Sequence, residues 1–153
     1  VSIEVDLPAP EFTAPATGGP FSLAALRGKR VVLYFYPKDN TPGCTTESLA
    51  FRDLSPKFEA AGAVIVGVSR DSLKSHDNFK AKLELPFVLV SDSDEQVCTA
   101  YNVIKMKKMY GKEVRGIERT TFLIDEQGVV RQAWRGIKVP GHVDDVLEAV
   151  QAL

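Results

Sequence analysis

The chain has 153 residues, enough for one domain with a substantial core. Its 19 basic and 20 acidic residues leave a net charge of −1, which gives no footing for nucleic acid or an anionic membrane surface. Apolar residues at 44% and charged residues at 25% fit a water-soluble globular protein, and two cysteines, Cys44 and Cys98, are too few for a disulfide scaffold. The first twelve residues, "VSIEVDLPAPEF", have no basic start and no apolar stretch of signal-peptide length. Two cysteines outside any disulfide framework predict reduced thiols and a cytoplasmic protein. The longest apolar runs are strand-sized, so no membrane span is expected.

In chain order, residues 1–20 read as an extended, surface-hugging arm, with prolines at 8, 10, 15 and 20 and the Gly18-Gly19 pair. Ser22 is then placed to cap a short helical turn ending near Gly28. Val31 to Tyr36 is unbroken and apolar, the pattern of a strand buried on both faces. A helix is predicted from Pro42, since proline suits the first helical position. Phe51, Leu54, Phe58 and Ala61 give it one apolar face. Pro56 should kink or restart it near Ser55, and Gly62 ends it. "AVIVGVS" (63–69) is a second buried strand. Residues 71–83 predict a helix with Leu73, Phe79 and Leu83 as core contacts, stopped by Pro86. A strand over 87–92 and a capped helical stretch over 92–103 follow. Residues 119–125 and 129–134 flank a turn at Gly128 and predict a hairpin. Val143, Val146, Leu147 and Val150 mark an amphipathic C-terminal helix. The order β-α-β-α-β-α, then hairpin, then helix implies a single α/β domain over 1–153, with a central mixed sheet flanked by helices. A thioredoxin-like arrangement satisfies it.

The chemistry gathers around "PKDNTPGCT" (37–45). Only the thiolate of a cysteine is a good nucleophile. A helix start supplies unpaired N–H groups and partial positive charge, both of which favour the anion. Cys44 falls in the first turn, after Pro42 and Gly43. Gly43 has no side chain to block a ligand approaching its N–H. The Thr41 hydroxyl can accept and donate, so it can hold the sulfur or a substrate oxygen. Pro37 and Pro42 stiffen the loop. Tyr36, just before Pro37, is a candidate for lining the pocket as well as for the core.

These residues resemble the peroxiredoxin signature Pro-x-x-x-Thr-x-x-Cys. The Pro-Gly before the cysteine resembles the bacterioferritin-comigratory-protein or PrxQ subfamily. "VVLYFYPKD" (31–39), "IVGVSRDS" (65–72), "GIERTTFLID" (116–125) and "GHVDDVLEAV" (141–150) resemble it in register, over nearly the whole chain. The resemblance implies a thiol-dependent peroxidase acting on hydrogen peroxide and organic hydroperoxides. Cys44 would be the peroxidatic thiol, oxidised to a sulfenic acid. Thr41 would position the peroxide, Pro37 would shield the site, and Arg119 would stabilise both thiolate and peroxide oxygens. No cofactor is implied, and the subfamily suggests a monomer.

The sequence departs from the subfamily where a resolving cysteine is usual. Position 49 is Leu49 and position 80 is Lys80. A one-cysteine mechanism is therefore expected, with glutathione, glutaredoxin or thioredoxin as the external thiol. Cys98 is read as a buried inert thiol, with an unusual resolver as the alternative. Glu47 occupies the second cysteine position of a Cys-x-x-Cys motif, which argues against a disulfide oxidoreductase, and Ala50 stands where a cysteine phosphatase needs arginine. A redox sensor or chaperone handing oxidation to a partner remains the non-enzymatic alternative. Glu47 is expected to bond the local backbone or Arg52. His76 and His142 are expected as solvated helix residues rather than metal ligands. Trp134 is expected to pack on the sheet, and the basic run 105–112 to form a solvated loop or strand edge.

Overall fold

The computed structural model describes residues 5–153, beginning with the proline-rich arm. Two short strands, β1 (Thr13–Ala14) and β2 (Phe21–Ser22), pair antiparallel. A single turn of 3-10 helix, Leu23–Leu26, follows, with Ser22 at its start but making no side-chain capping bond. Then come β3 (Arg30–Phe35), α1 (Pro42–Ala60), β4 (Ala63–Ser69), α2 (Leu73–Leu83), β5 (Val88–Ser91) and α3 (Gln96–Ala100). The hairpin of β6 (Ile104–Met109) and β7 (Lys112–Ile117) precedes β8 (Thr120–Ile124), β9 (Val130–Arg135) and α4 (His142–Gln151).

Five strands form one mixed sheet in the order β5-β4-β3-β8-β9. β3, β4 and β5 run parallel, as crossover helices require, while β8 and β9 add antiparallel beside β3. This is the thioredoxin-like α/β arrangement. Along β3 successive side chains alternate between two cores. Val31, Leu33 and Phe35 face α3 and the N-terminal arm, whereas Val32, Tyr34 and Tyr36 face α1, α2 and α4. Gly67 in β4 makes that second layer fit: a Cβ there would lie 2.8 Å from Leu89 and 2.9 Å from Tyr34.

Two expectations need correction. α1 runs unbroken through Pro56, where Ser55 Oγ donates to the Phe51 carbonyl at 3.0 Å. Leu73 is exposed at the start of α2, so the apolar face of that helix is carried by Phe79 and Leu83. The basic run 105–112 is a solvated strand edge and its turn, as expected, and Tyr110 and Gly111 both hold positive φ, the geometry of a tight hairpin. No alternating apolar pattern marks this hairpin, because it pairs outside the central sheet. Among the described residues no helix is long and apolar enough to cross a membrane.

Candidate active site

Thr41 is the N-cap of α1, Pro42 opens the helix, and Cys44 ends its first turn. The first helical bond runs from Thr45 N–H to the Thr41 carbonyl at 2.9 Å. Gly43 and Cys44 therefore precede the ladder, and their N–H groups are free to point at a ligand. Thr41 does not use its side chain to cap the helix. Its hydroxyl donates instead to the Lys38 carbonyl at 2.8 Å, inside the same loop. That bond commits the hydroxyl proton and leaves the oxygen lone pairs to accept from a substrate O–H.

Arg119 lies between β7 and β8, where the antiparallel strand brings it against the start of α1. Its Nη2 donates to Cys44 Sγ at 3.3 Å, and its Nη1 donates to Glu47 Oε1 at 2.7 Å. Gly43 makes room for this approach, because a Cβ there would sit 3.2 Å from Arg119 Nη2. The Cys44 side chain is 1% exposed, so the thiol and its cation share a drying environment in which their attraction is strengthened.

Glu47 is the residue whose role the sequence reading missed. It bonds Arg119, not the local backbone or Arg52. Its position three residues past Cys44 puts both on one helix face, the signal that was available. Its Oε2 is buried without a partner. Burial pushes the Glu47 carboxyl up to about 7, against the opposing pull of Arg119.

The remaining candidates divide. Pro37 is half-buried at the exit from β3, beside the loop that carries Thr41. Tyr36 does not line an open pocket: it is fully buried, stacks on Tyr34, and donates its hydroxyl to Asp39 at 2.6 Å. Cys98 lies in α3, on the opposite face of the sheet from Cys44. Both thiols are buried and free. Burial, with Asp92 beside it, pushes the Cys98 thiol well up, which favours the protonated form. The histidines are not solvated. His76 is fully buried and hydrogen-bonded to Asp39 and Val90, and His142 is buried against Thr121 at 2.8 Å. Burial holds His142 down at about 4, a neutral ring at pH 7. Trp134 stands half-buried on β9, edge-on to His142.

A buried thiol at a helix start, facing a guanidinium on a thioredoxin-like frame, defines a thiol-based redox enzyme. Residues 5–133 match the AhpC/TSA family. Peroxiredoxin Bcp of Xanthomonas campestris is 57% identical over 151 residues, covering 97% of this chain and 94% of that protein. Peroxiredoxin Bcp of Bacillus subtilis is 45% identical over 152 residues, covering 99% and 97%. A solved structure of Xanthomonas campestris Peroxiredoxin Q aligns with a TM-score of 0.91 at 56% identity, over 98% of this chain and 97% of that one. The chain belongs to the AhpC/TSA family and, within it, to the Bcp/PrxQ peroxiredoxins. It is a thiol-dependent peroxidase.

Proposed function

We propose that Cys44 reduces hydrogen peroxide and organic hydroperoxides by a one-cysteine mechanism. The Cys44 thiolate attacks one oxygen of the O–O bond. An S–O bond forms, the O–O bond breaks, and the leaving oxygen takes a proton to become water or an alcohol. Cys44 is left as a sulfenic acid. Thr41 accepts from the peroxide O–H, and the N–H groups of Gly43 and Cys44 hold its oxygens. Arg119 meets the charge that develops on them. Pro37 shields the sulfur from one side. A first external thiol then condenses with the sulfenic acid to a mixed disulfide, releasing water. A second thiol displaces Cys44 as the thiol.

The observation that carries this reading is the 3.3 Å contact of Arg119 Nη2 with Cys44 Sγ at the start of α1. The external reductant is supported by Leu49 and Lys80 at the usual resolver positions and by Cys98 lying across the sheet. A disulfide needs Cα atoms within about 7 Å, and a sheet with side chains on both faces stands between these two. Glutathione with glutaredoxin, or thioredoxin, supplies the thiol. The substrate range is supported by a relative whose solved structures concern alkyl peroxide reduction by the Xanthomonas campestris bacterioferritin comigratory protein. Two unpaired thiols suit a reducing compartment such as the cytoplasm, and the chain acts as a monomer.

The test is peroxide consumption with dithiothreitol, with intact mass read after one equivalent of peroxide. Cys44→Ser abolishes turnover and Cys98→Ser keeps it. Oxidised wild type carries added oxygen on Cys44. Loss of two hydrogens, with both cysteines protected from alkylation, defeats the one-cysteine mechanism. Oxidation only once per chain with every donor points to a sensor instead.

A further inference from the structure

The loop between β3 and α1 carries Pro37 and Thr41, and the side chain between them, Asp39, is buried. Both carboxylate oxygens of Asp39 and its backbone N–H are tied. Oδ1 accepts from the Tyr36 hydroxyl at 2.6 Å. Oδ2 accepts from Ser75 Oγ at 2.9 Å and lies 2.7 Å from His76 Nδ1. The Asp39 backbone N–H donates to Asp71 Oδ2 at 2.9 Å. These bonds link the loop to the ends of β3 and β4 and to the first turn of α2. His76 extends the chain of contacts: its Nε2 lies 2.9 Å from the Val90 carbonyl in β5.

Both nitrogens of the His76 ring thus face oxygen acceptors, a carboxylate on one side and a backbone carbonyl on the other. Asp39, Asp71 and His76 do bring ligand-type atoms within 4.8 Å of one another. Each of the three side chains already has hydrogen-bond partners within the cluster or beside it, so the cluster is read as a hydrogen-bonded network. The loop needs such an anchor. Asn40, between Asp39 and Thr41, holds φ +64, a left-handed turn that an asparagine tolerates without preferring it.

We propose that His76 and Asp39 form a buried hydrogen-bonded latch that fixes the position of the Pro37–Thr41 loop, and so are positioning residues for attack on peroxide; this rests on Cys44 being the reacting thiol. The latch works on the loop side of the site alone. Cys44, Glu47 and Arg119 hold one another from α1 and the start of β8, whereas the Thr41 hydroxyl is fixed only within the loop. Loosening the loop displaces the peroxide-binding oxygen and leaves the sulfur with its cation.

The test compares two reactions of Cys44 under single-turnover conditions: oxidation by hydrogen peroxide, and alkylation by iodoacetamide, which makes no use of Thr41. His76→Phe fills the ring space without donating. It should slow oxidation by about tenfold to a hundredfold, the cost of a misplaced reacting group, while alkylation keeps its wild-type rate or quickens. Asp39→Asn should do the same, and it carries the test alone should His76→Phe fail to fold. The double variant should be no slower than the slower single one, because the two residues act as a unit. Wild-type oxidation rates in the singles overturn the latch. So does a parallel loss of oxidation and alkylation, which marks general damage. Peptide mapping of oxidised wild type keeps the premise separate: oxygen on a residue other than Cys44 defeats the reading of Cys44, whatever the latch variants do.

Discussion

Gly43 and Arg119 set each other's limits. Position 43 ends at its Cα, and a methyl there would lie 3.2 Å from Arg119 Nη2, close enough to press on the guanidinium. Arg119→Met removes the donor to sulfur and, on the proposed mechanism, the charge that meets the peroxide oxygens. The second-order rate with hydrogen peroxide should fall by about a hundredfold or more, as for loss of an oxyanion donor. Gly43→Ala should lower the same rate less, by shifting Arg119 a few tenths of an ångström, and should leave the fold intact. Rapid-mixing oxidation kinetics check both, and a Gly43→Ala rate below that of Arg119→Met contradicts the steric account. Cys44, Thr41 and Arg119 were legible in the sequence because two sit in one short motif and the third opens a strand-like run. Glu47 and His76 were not, because their partners come from other elements. Yet His76 lies three residues before Phe79 and seven before Leu83, on the buried stripe of α2, so spacing did mark its face.

At the level of elements, α1 holds the site against the sheet through aromatic packing. The Phe51 ring stacks on Tyr34 with centroids 4.6 Å apart, and the Tyr34 hydroxyl meets Ser48 Oγ at 2.9 Å. Phe51→Ala should cost about 3–5 kcal/mol of stability, the range for emptying a core aromatic site. Urea denaturation measures it, and a loss under about 1 kcal/mol would mean that this stack does not anchor the helix. Peroxide reactivity well below the melting range should survive, since Phe51 lies about two turns from Cys44. The alternating elements that carry α1 were readable from apolar runs buried on both faces. The β6–β7 hairpin was not, because its lysines hide any period-two pattern and its pairing depends on a turn at Tyr110 and Gly111.

Across the whole molecule, two buried groups pull stability in opposite directions with pH. Glu47 sits at about 7, above the ordinary carboxyl value, so the folded chain holds its proton longer than the unfolded one. Stability from this group is lost as pH rises from about 4.5 through 7. His142 sits at about 4, below the ordinary imidazole value, so its share is present above about 6.5 and lost as pH falls through 4. Between about 4.5 and 6.5 the two slopes, each near 1.4 kcal/mol per pH unit for a full proton, largely cancel. Glu47→Gln should therefore reveal stability rising with pH over that window, and His142→Gln should reveal it falling. Urea midpoints taken across the window decide the matter, and variants that keep the wild-type profile refute it. The two thiols are separated on the same scale, one in each core. On the one-cysteine reading, the chain holds its oxidising equivalent on Cys44 itself, as the sulfenic acid, until a donor thiol arrives. Its turnover at saturating peroxide should rise in proportion to donor thiol, without the plateau that an internal disulfide step imposes. The oxidised fraction at any moment then reports the ratio of peroxide to donor around it.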